Sequence, residues 1–246
     1  MKLILLGTGG YHPNDRRHTP ALLLPECGVM LDAGTGVFRA GGYLERPRLD
    51  VFLTHAHLDH VVGLTYLFNV IRVHPLEEIV VHARPDKLAA VDEHLFSEAL
   101  FPKKPPIELR PLAEEVRVPG GGRVVHFDLD HPGGSIGYRL EWPGRSMAYV
   151  TDTTARPEAD YVAHIRGVDL LVHECYFPDD KADWAATTGH SCVTPTAQVA
   201  RAAAAKRLVL VHHNPLSTDS DPIGVETARA VFPETVLGED LMELEF

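Results

Sequence analysis

Short apolar runs alternate with amphipathic stretches along the whole chain. The apolar runs have the length of β-strands and predict strands at residues 3–6, 21–24, 29–31, 51–53, 79–81, 124–129, 136–140, 147–150, 170–173 and 208–212. Stretches with apolar residues three and four positions apart predict helices at residues 63–72, 86–99, 195–205 and 223–231. The chain is therefore predicted to mix α and β structure from end to end.

The pattern continues without a clear division into domains. No internal repeat, low-complexity tract or long linker interrupts it. The stretches richest in proline and glycine, residues 101–106 and 119–122, are too short to separate domains. Residues 1–246 are therefore predicted to form one domain, which is long enough to bury a full core.

Composition narrows the possible partners and the compartment. A formal net charge of −11 argues against a protein that binds nucleic acid through a broad basic surface, but leaves room for a local phosphate site. Three scattered cysteines are too few for a disulfide framework, which favours a reducing compartment. The apolar start of the chain ends at Gly7, and no apolar run approaches the roughly 20 residues that span a bilayer. We expect a cytoplasmic protein without membrane contact.

One loop concentrates the candidate chemistry. His55, His57, Asp59 and His60 follow the predicted strand at residues 51–53 and place three imidazoles and one carboxylate within six positions. Neutral imidazole nitrogen and carboxylate oxygen are ligands that suit zinc without any thiolate. The loop therefore predicts a site for two adjacent divalent ions.

Other strand ends supply further candidate ligands. His131, Asp152 and His212 each lie just beyond a predicted strand, where loops on a rigid sheet commonly carry functional side chains. His126 is an alternative to His131, and His213 is an alternative to His212. Residue type and spacing alone leave both choices open.

Taken together and in order, these motifs resemble the ribonuclease Z group of the metallo-β-lactamase superfamily over the whole chain. The resemblance rests first on the loop from His55 to His60, the metal loop. It rests also on Leu6-Gly7-Thr8-Gly9-Gly10, Leu31-Asp32-Ala33-Gly34, Gly137-Tyr138-Arg139 after His131, Thr151-Asp152-Thr153, His173-Glu174, Gly189-His190-Ser191 and Leu208-Val209-Leu210-Val211-His212. It implies an α+β fold, the four-layer αββα sandwich of two mixed β-sheets flanked by helices.

The resemblance also implies a set of metal ligands. One ion would be held by His55, His57 and His131, a second by Asp59, His60 and His212, and Asp152 would bridge both. It selects His131 because the Gly-Tyr-Arg block follows it, and His212 from the family register. The expected cofactors are two divalent metal ions, with zinc favoured and manganese or iron as alternatives.

Such a centre implies a hydrolytic mechanism. Two ions about 3.5–4 Å apart can hold a hydroxide between them and clamp the attacking and leaving oxygens of a phosphodiester. Asp59 would orient the nucleophile or accept its proton, and His190 would stabilise a phosphoryl oxygen or protonate the leaving alkoxide. Glu174 is a candidate for orienting His190, although a strand-end carboxylate also pairs with cations. Cys192 is expected to be a packed residue because no base is evident for it.

Two departures from the ribonuclease Z pattern bear on the substrate. His131 and Asp152 are only 21 positions apart, which leaves no room for the projecting arm that grips precursor tRNA in that group. The Ser-x-Arg-Tyr ending expected after His212 is replaced by His213-Asn214-Pro215-Leu216. We therefore expect a dinuclear phosphodiesterase for small or cyclic phosphodiesters.

Several alternatives remain open from the sequence. The first is a ribonuclease Z-type endoribonuclease on tRNA 3′ ends, with RNA bound through a partner subunit. The second is a metallo-hydrolase of a lactone, thioester or sulfate ester, and the third is an inactive binding module. A homodimer is implied by family analogy only.

Overall fold

The computed structural model describes residues 1–246 and contains two seven-stranded mixed sheets. The strands are β1 Lys2–Gly7, β2 Ala21–Leu24, β3 Val29–Leu31, β4 Arg48–Phe52, β5 Glu78–Ala83, β6 Glu108–Pro111, β7 Glu115–Val118, β8 Gly122–Leu129, β9 Ser135–Trp142, β10 Arg145–Val150, β11 Leu170–Glu174, β12 Leu208–Val211, β13 Thr235–Leu237 and β14 Glu243–Glu245. The first sheet has the order β14-β1-β2-β3-β4-β5-β6, and the second has the order β13-β12-β11-β10-β9-β8-β7.

Helical segments join these strands. The α-helices are α1 Leu58–Val61, α2 Leu67–Val73, α3 Pro85–Ala90, α4 Tyr161–His164, α5 Ala182–Thr188, α6 Val193–Ala202 and α7 Val225–Val231. Short 3-10 segments occupy Thr35–Gly42, Val62–Tyr66, Pro119–Gly121 and Asp179–Lys181, and a π-helical turn occupies Val91–Leu95. None of the helices is long and apolar enough to cross a lipid bilayer.

All ten strands predicted from the apolar runs are present, with ends shifted by up to three residues. The four strands that the pattern did not predict are β6, β7, β13 and β14, and these are the four edges of the two sheets. Edge strands are short, and three of these four carry charged residues that interrupt the apolar signal. The prediction of strands by buried apolar runs therefore works for the sheet interiors and fails at their edges.

The helix predictions are correct in position but less so in length and type. The stretch at residues 63–72 divides into a 3-10 segment and α2, and α6 and α7 lie within two or three residues of their predicted ends. The predicted helix at residues 86–99 is wrong beyond residue 95, because α3 passes into the π-helical turn and Phe96 leaves the helical conformation. The short helices α1, α4 and α5 were not predicted.

The chain divides into two compact units, each built around one sheet. The first unit contains Met1–Gly120 with Asp240–Glu245, and the second contains Gly121–Glu239 with Phe246. The assignment of residues 1–246 to a single domain stays a prediction.

In the first unit, helices cover one face of the sheet. Strand residues such as Leu6, Leu49 and Val51 share a fully buried apolar cluster with Leu64 and Leu67 from the helical segments. Strands β3, β4 and β5 are parallel, with Leu31 opposite Phe52 and Phe52 opposite His82. Their carboxyl ends therefore lie along one edge of the sheet.

The second unit repeats this arrangement. Ala148, Val150 and Leu171 from the strands pack in one buried cluster with Val193 and Ala197 of α6, whose apolar residues recur at helical spacing. Strands β10, β11, β12 and β13 are parallel to one another. Continuous burial of parallel strands explains why β12 and the first three residues of β11 are apolar in sequence rather than alternating.

The turn between β2 and β3 provides a test of this packing. Gly28 has a φ of 64°, and a Cβ at that position would lie 2.2 Å from the carbonyl oxygen of Arg48. Gly28→Ala is expected to lower the free energy of unfolding by about 2–4 kcal/mol, because it adds left-handed strain to a backbone clash. Urea denaturation measures the change.

A matched control is Gly42→Ala in the 3-10 segment Thr35–Gly42, because a Cβ at Gly42 has no atom within 4 Å. Its effect should not exceed about 0.5 kcal/mol. Equal effects of the two substitutions would contradict the close packing of the β2–β3 turn against β4.

Candidate metal centre

In the first unit, the metal loop begins where two parallel strands end side by side. Strand β3 ends at Leu31 and β4 ends at Phe52, opposite each other in the sheet. Asp32 follows β3 directly, with a φ of 56° and a side chain that is completely buried. A buried carboxylate in the left-handed region is an unusual combination, and it points to a functional constraint at this position.

The Asp32 carboxylate is held by hydrogen bonds from the start of the metal loop. Oδ1 accepts the backbone N–H of Thr54 at 2.8 Å, and the Thr54 hydroxyl donates to the same carboxylate at 3.0 Å. Nδ1 of His60 donates to Oδ2 at 2.8 Å. These bonds compensate the cost of burying the charge.

The same carboxylate orients two imidazoles. A proton on Nδ1 of His60 leaves Nε2 as the basic nitrogen of the ring, which is the form that binds a metal ion. The Thr54 hydroxyl, having donated to Asp32, accepts from Nδ1 of His55 at 3.0 Å. Asp32 therefore fixes His60 directly and His55 through Thr54.

The remaining members of the loop lie close to these two rings. The ring centroids of His57 and His60 lie 4.4 Å and 4.3 Å from the centroid of His55. The carboxylate of Asp59, in the first turn of α1, has Oδ2 3.4 Å from Nε2 of His60. The first unit thus gathers all four predicted ligands of the metal loop into one cluster.

Two glycines allow the backbone segments around this cluster to approach. A Cβ on Gly34 would lie 2.3 Å from the carbonyl oxygen of Asp59, and one on Gly63 would lie 2.0 Å from the carbonyl oxygen of Gly34. No side chain fits at either position. The glycine turn after β3 is therefore required for the metal loop to close against it.

The second unit also places its candidate ligands at strand ends. Asp152 follows β10 and His212 follows β12, and both have left-handed backbones with φ values of 52° and 58°. The carboxylate oxygens Oδ1 and Oδ2 of Asp152 lie 3.5 Å from Nε2 of His131 and 3.4 Å from Nε2 of His212. The hydroxyl of Thr151 donates to Oδ2 at 2.7 Å.

The alternative histidines occupy other environments. Both ring nitrogens of the buried His213 face backbone carbonyls, those of Cys175 and Gly238, at 3.3 Å. His126 lies in the middle of β8, opposite Tyr138 of β9, away from the strand end. His131 and His212 are thus the pair that lies beside Asp152, while their roles as ligands stay predictions.

His190 belongs to the same cluster. Donor atoms of Asp152, His190 and His212 all lie within 4.8 Å of one another, a spacing that could hold a metal ion. The His190 ring stacks on Tyr176 with centroids 4.5 Å apart and 11° between the planes. Its position is therefore fixed by an aromatic contact that the sequence did not suggest.

Glu174 is hydrogen-bonded to His190, and its predicted role in orienting that ring stays a prediction. Nδ1 of His190 donates to Oε1 of the fully buried Glu174 at 3.2 Å. Oε1 also accepts the N–H of Thr153 at 2.7 Å, and Oε2 accepts the N–H of Ser191 at 3.2 Å. The carboxylate is thus held rigidly by backbone donors while it holds the imidazole.

Burial tunes other groups near this cluster. Burial lowers the pKa of His131 below its ordinary value despite the nearby Asp152 carboxylate, which favours the neutral, ligating form at pH 7. Nδ1 of His131 lies 3.1 Å from the carbonyl oxygen of Gly189, to which it donates in the tautomer with a basic Nε2. Burial also raises the pKa of the Cys192 thiol to about 11, which agrees with a packed residue and not a nucleophile.

Sequence reasoning missed the orienting role of Asp32 and Thr54. Asp32 stood in the Leu31-Asp32-Ala33-Gly34 motif, but neither residue was assigned a function. The signal in the sequence was Asp32 itself, an aspartate directly after the buried strand β3. Strand β3 lies beside β4, the strand that precedes the metal loop. Recognising it required knowing that β3 and β4 are neighbours in the sheet.

Comparison with known proteins agrees with this description. The family model for the β-lactamase superfamily domain matches residues 28–213. A ribonuclease Z of Archaeoglobus fulgidus is 28% identical over 302 aligned positions, which cover 99% of this chain and 97% of that protein. A ribonuclease Z of Salinibacter ruber is 32% identical, with 99% of this chain and 94% of that protein covered.

A solved structure confirms the predicted fold class. The metallo-β-lactamase fold protein YhfI from Bacillus subtilis matches with a TM-score of 0.80 and 19% identity, covering 99% of each chain. Because the alignment with the Archaeoglobus fulgidus protein spans 302 positions and this chain has 246 residues, at least 56 residues of that relative have no counterpart here.

The orienting role of Asp32 can be tested by Asp32→Asn. The amide nitrogen of asparagine would face Nδ1 of His60 and favour a proton on Nε2, the nitrogen that binds metal. We expect the affinity for zinc to fall by about 10–100-fold, measured by competition with a chromophoric chelator.

Asp50→Asn is a matched control, since Asp50 is also a buried aspartate on the first sheet. Burial alone would raise the pKa of Asp50, but hydrogen bonds from Arg48 and His82 outweigh it and hold that pKa below its usual value. This substitution should lower stability and leave zinc affinity unchanged. A folded Asp32→Asn protein with wild-type zinc affinity would contradict the assigned role.

Proposed function

Because this chain is a ribonuclease Z-like member of the β-lactamase superfamily, we propose that it uses two divalent metal ions to hydrolyse small or cyclic phosphodiesters. The observation that carries the proposal is the His190–Glu174 pair. It supplies an oriented imidazole, in addition to the predicted ligands, beside Asp152 and His212. A phosphodiester needs such a group to stabilise a phosphoryl oxygen or protonate the departing alkoxide.

The proposed ligands are those that the family resemblance implies. One ion would be held by His55, His57 and His131, a second by Asp59, His60 and His212, and Asp152 would bridge both. Imidazole and carboxylate donors fit zinc, and the hydrogen bonds to Nδ1 of His60 and His131 favour ligation through Nε2. Two divalent ions bound there would acidify water and neutralise charge on the phosphate.

The protein's own groups then perform the remaining tasks. A carboxylate hydrogen-bonded to Nδ1 of His190 stabilises the imidazolium form, in which Nε2–H donates to a phosphoryl or leaving-group oxygen. Asp59 orients the attacking water or accepts its proton, and the backbone N–H of Tyr11, which donates to Oδ2 at 2.8 Å, holds that carboxylate in place.

Three observations support a small substrate. At least 56 residues of the relative from Archaeoglobus fulgidus have no counterpart in this chain. Between His131 and Asp152, strands β9 and β10 pair directly, with Trp142 opposite Arg145 across a tight turn. The net charge of −11 disfavours a large RNA surface.

The second candidate function is cleavage of RNA. It is favoured by the full-length similarity to proteins named ribonuclease Z, one of them 32% identical. Under this proposal the tRNA-binding surface comes from a partner, since the chain lacks the arm.

A cytoplasmic location is proposed for either function, and all three cysteines are thiols as a reducing compartment requires.

The experiment is an assay of zinc-loaded protein against bis(p-nitrophenyl) phosphate, cyclic nucleotides, precursor tRNA and a lactone. We expect hydrolysis of the phosphodiesters, and a fall in kcat of about 10²–10⁴-fold in His190→Ala with bound zinc retained. The loss follows from removing the donor to the phosphoryl or leaving oxygen.

The control is His94→Ala, which alters an exposed histidine of the π-helical turn and should keep full activity. Efficient cleavage of precursor tRNA would favour the second candidate, and hydrolysis of the lactone alone would show that the centre acts on another ester. Wild-type kcat in His190→Ala would contradict the assigned role of the imidazole.

A further inference from the structure

The loop between β1 and β2 presents one aromatic side chain beside the metal loop. The backbone N–H of Tyr11 donates to the carboxylate of Asp59 at 2.8 Å, which fixes residue 11 next to that group. The Tyr11 side chain is 72% exposed. The solvent-exposed ring therefore belongs to a residue whose backbone is hydrogen-bonded to a predicted catalytic carboxylate.

The backbone at Tyr11 is strained. Its φ is 61°, in the left-handed region that glycine adopts without strain and a bulky residue rarely does. The ring contributes little to folding, because its one aromatic contact is with the neighbouring His12, and its hydroxyl makes no hydrogen bond in the structure. Strained residues of this kind cluster at ligand-binding sites.

The loop that carries Tyr11 is fixed at its base. The Asp240 carboxylate accepts the N–H groups of Thr8 and His18 at 2.9 and 2.8 Å, and pairs with Arg39 at 2.6 Å. The N–H of Gly9 also donates to the carbonyl of His18 at 2.8 Å. The ring is thus presented by a preorganised loop, which lowers the entropy lost when a ligand contacts it.

We propose that the Tyr11 ring is a stacking platform for a nucleobase on the phosphodiester substrate. The inference rests on the proposed function and names the substrate class: a nucleoside phosphodiester rather than an alkyl one. Aromatic side chains bind bases through their π-faces without requiring a particular base, and an exposed ring needs no rearrangement to do so. The Asp59 contact places this platform beside the group that acts on the phosphate.

The test compares two diesters with the same leaving group, thymidine 5′-(p-nitrophenyl phosphate) and methyl p-nitrophenyl phosphate. They differ only in the nucleoside. Tyr11→Gly removes the ring but keeps the N–H and relieves the backbone strain, so the protein is expected to fold, as circular dichroism would show. The ratio of kcat/KM for the nucleoside diester over the methyl diester should fall by about tenfold, mainly through KM.

Tyr11→Phe is the matched variant, because it keeps the ring and should retain the wild-type ratio. Equal losses on both diesters in Tyr11→Gly would show that residue 11 only supports Asp59, and would overturn the proposal. An unchanged ratio in an active Tyr11→Gly protein would overturn the stacking role alone. Wild-type protein that hydrolyses neither diester would overturn the proposed function as well.

Discussion

A buried carboxylate is stable only while hydrogen bonds to its oxygens replace those of water, and one such carboxylate in each unit meets this requirement. In the first unit Asp32 accepts bonds from Thr54 and His60, and through them it sets the direction of the metal loop. In the second unit Glu174 accepts bonds from the backbone of Thr153 and from His190. Each carboxylate is completely buried. Each carboxylate therefore holds one imidazole ring in a fixed orientation.

The sheets explain why these groups meet at strand ends. Parallel neighbours end at the same edge, so residues far apart in sequence arrive side by side without long connecting loops. Asp32, Asp152 and His212 each turn sharply there, with φ values of 56°, 52° and 58°. Non-glycine residues hold such conformations only where the surrounding structure supports them. Hydrogen bonds from Thr54 and His60 supply that support at Asp32, and a hydrogen bond from Thr151 supplies it at Asp152.

Much of the fold could be predicted from the sequence because buried strands, parallel and antiparallel, form clear apolar runs. The four strands missed, β6, β7, β13 and β14, are sheet edges, where exposure replaces the apolar signal. The helix predicted over residues 86–99 ended early, since periodic apolar spacing does not reveal a π-helical turn at Val91–Leu95.

The candidate site, like the fold, was predictable from the sequence only in part. The metal loop concentrates its ligands within a few positions, whereas the choice of His212 over His213 depends on which ring the strand end turns toward Asp152. The orienting roles of Asp32 and Tyr176 depend on sheet neighbours and ring stacking. Such contacts join residues distant in sequence, so no local pattern contains them.

The proposed mechanism requires two metal ions bound side by side in one centre. X-ray absorption spectroscopy of the zinc-loaded protein tests it most directly, because the fine structure reports the neighbours of each ion. We expect each zinc ion to be coordinated by nitrogen and oxygen, mostly from imidazole rings, with the second zinc ion about 3.5–4 Å from the first. A single zinc per chain without a metal neighbour, or coordination by sulfur, would contradict it.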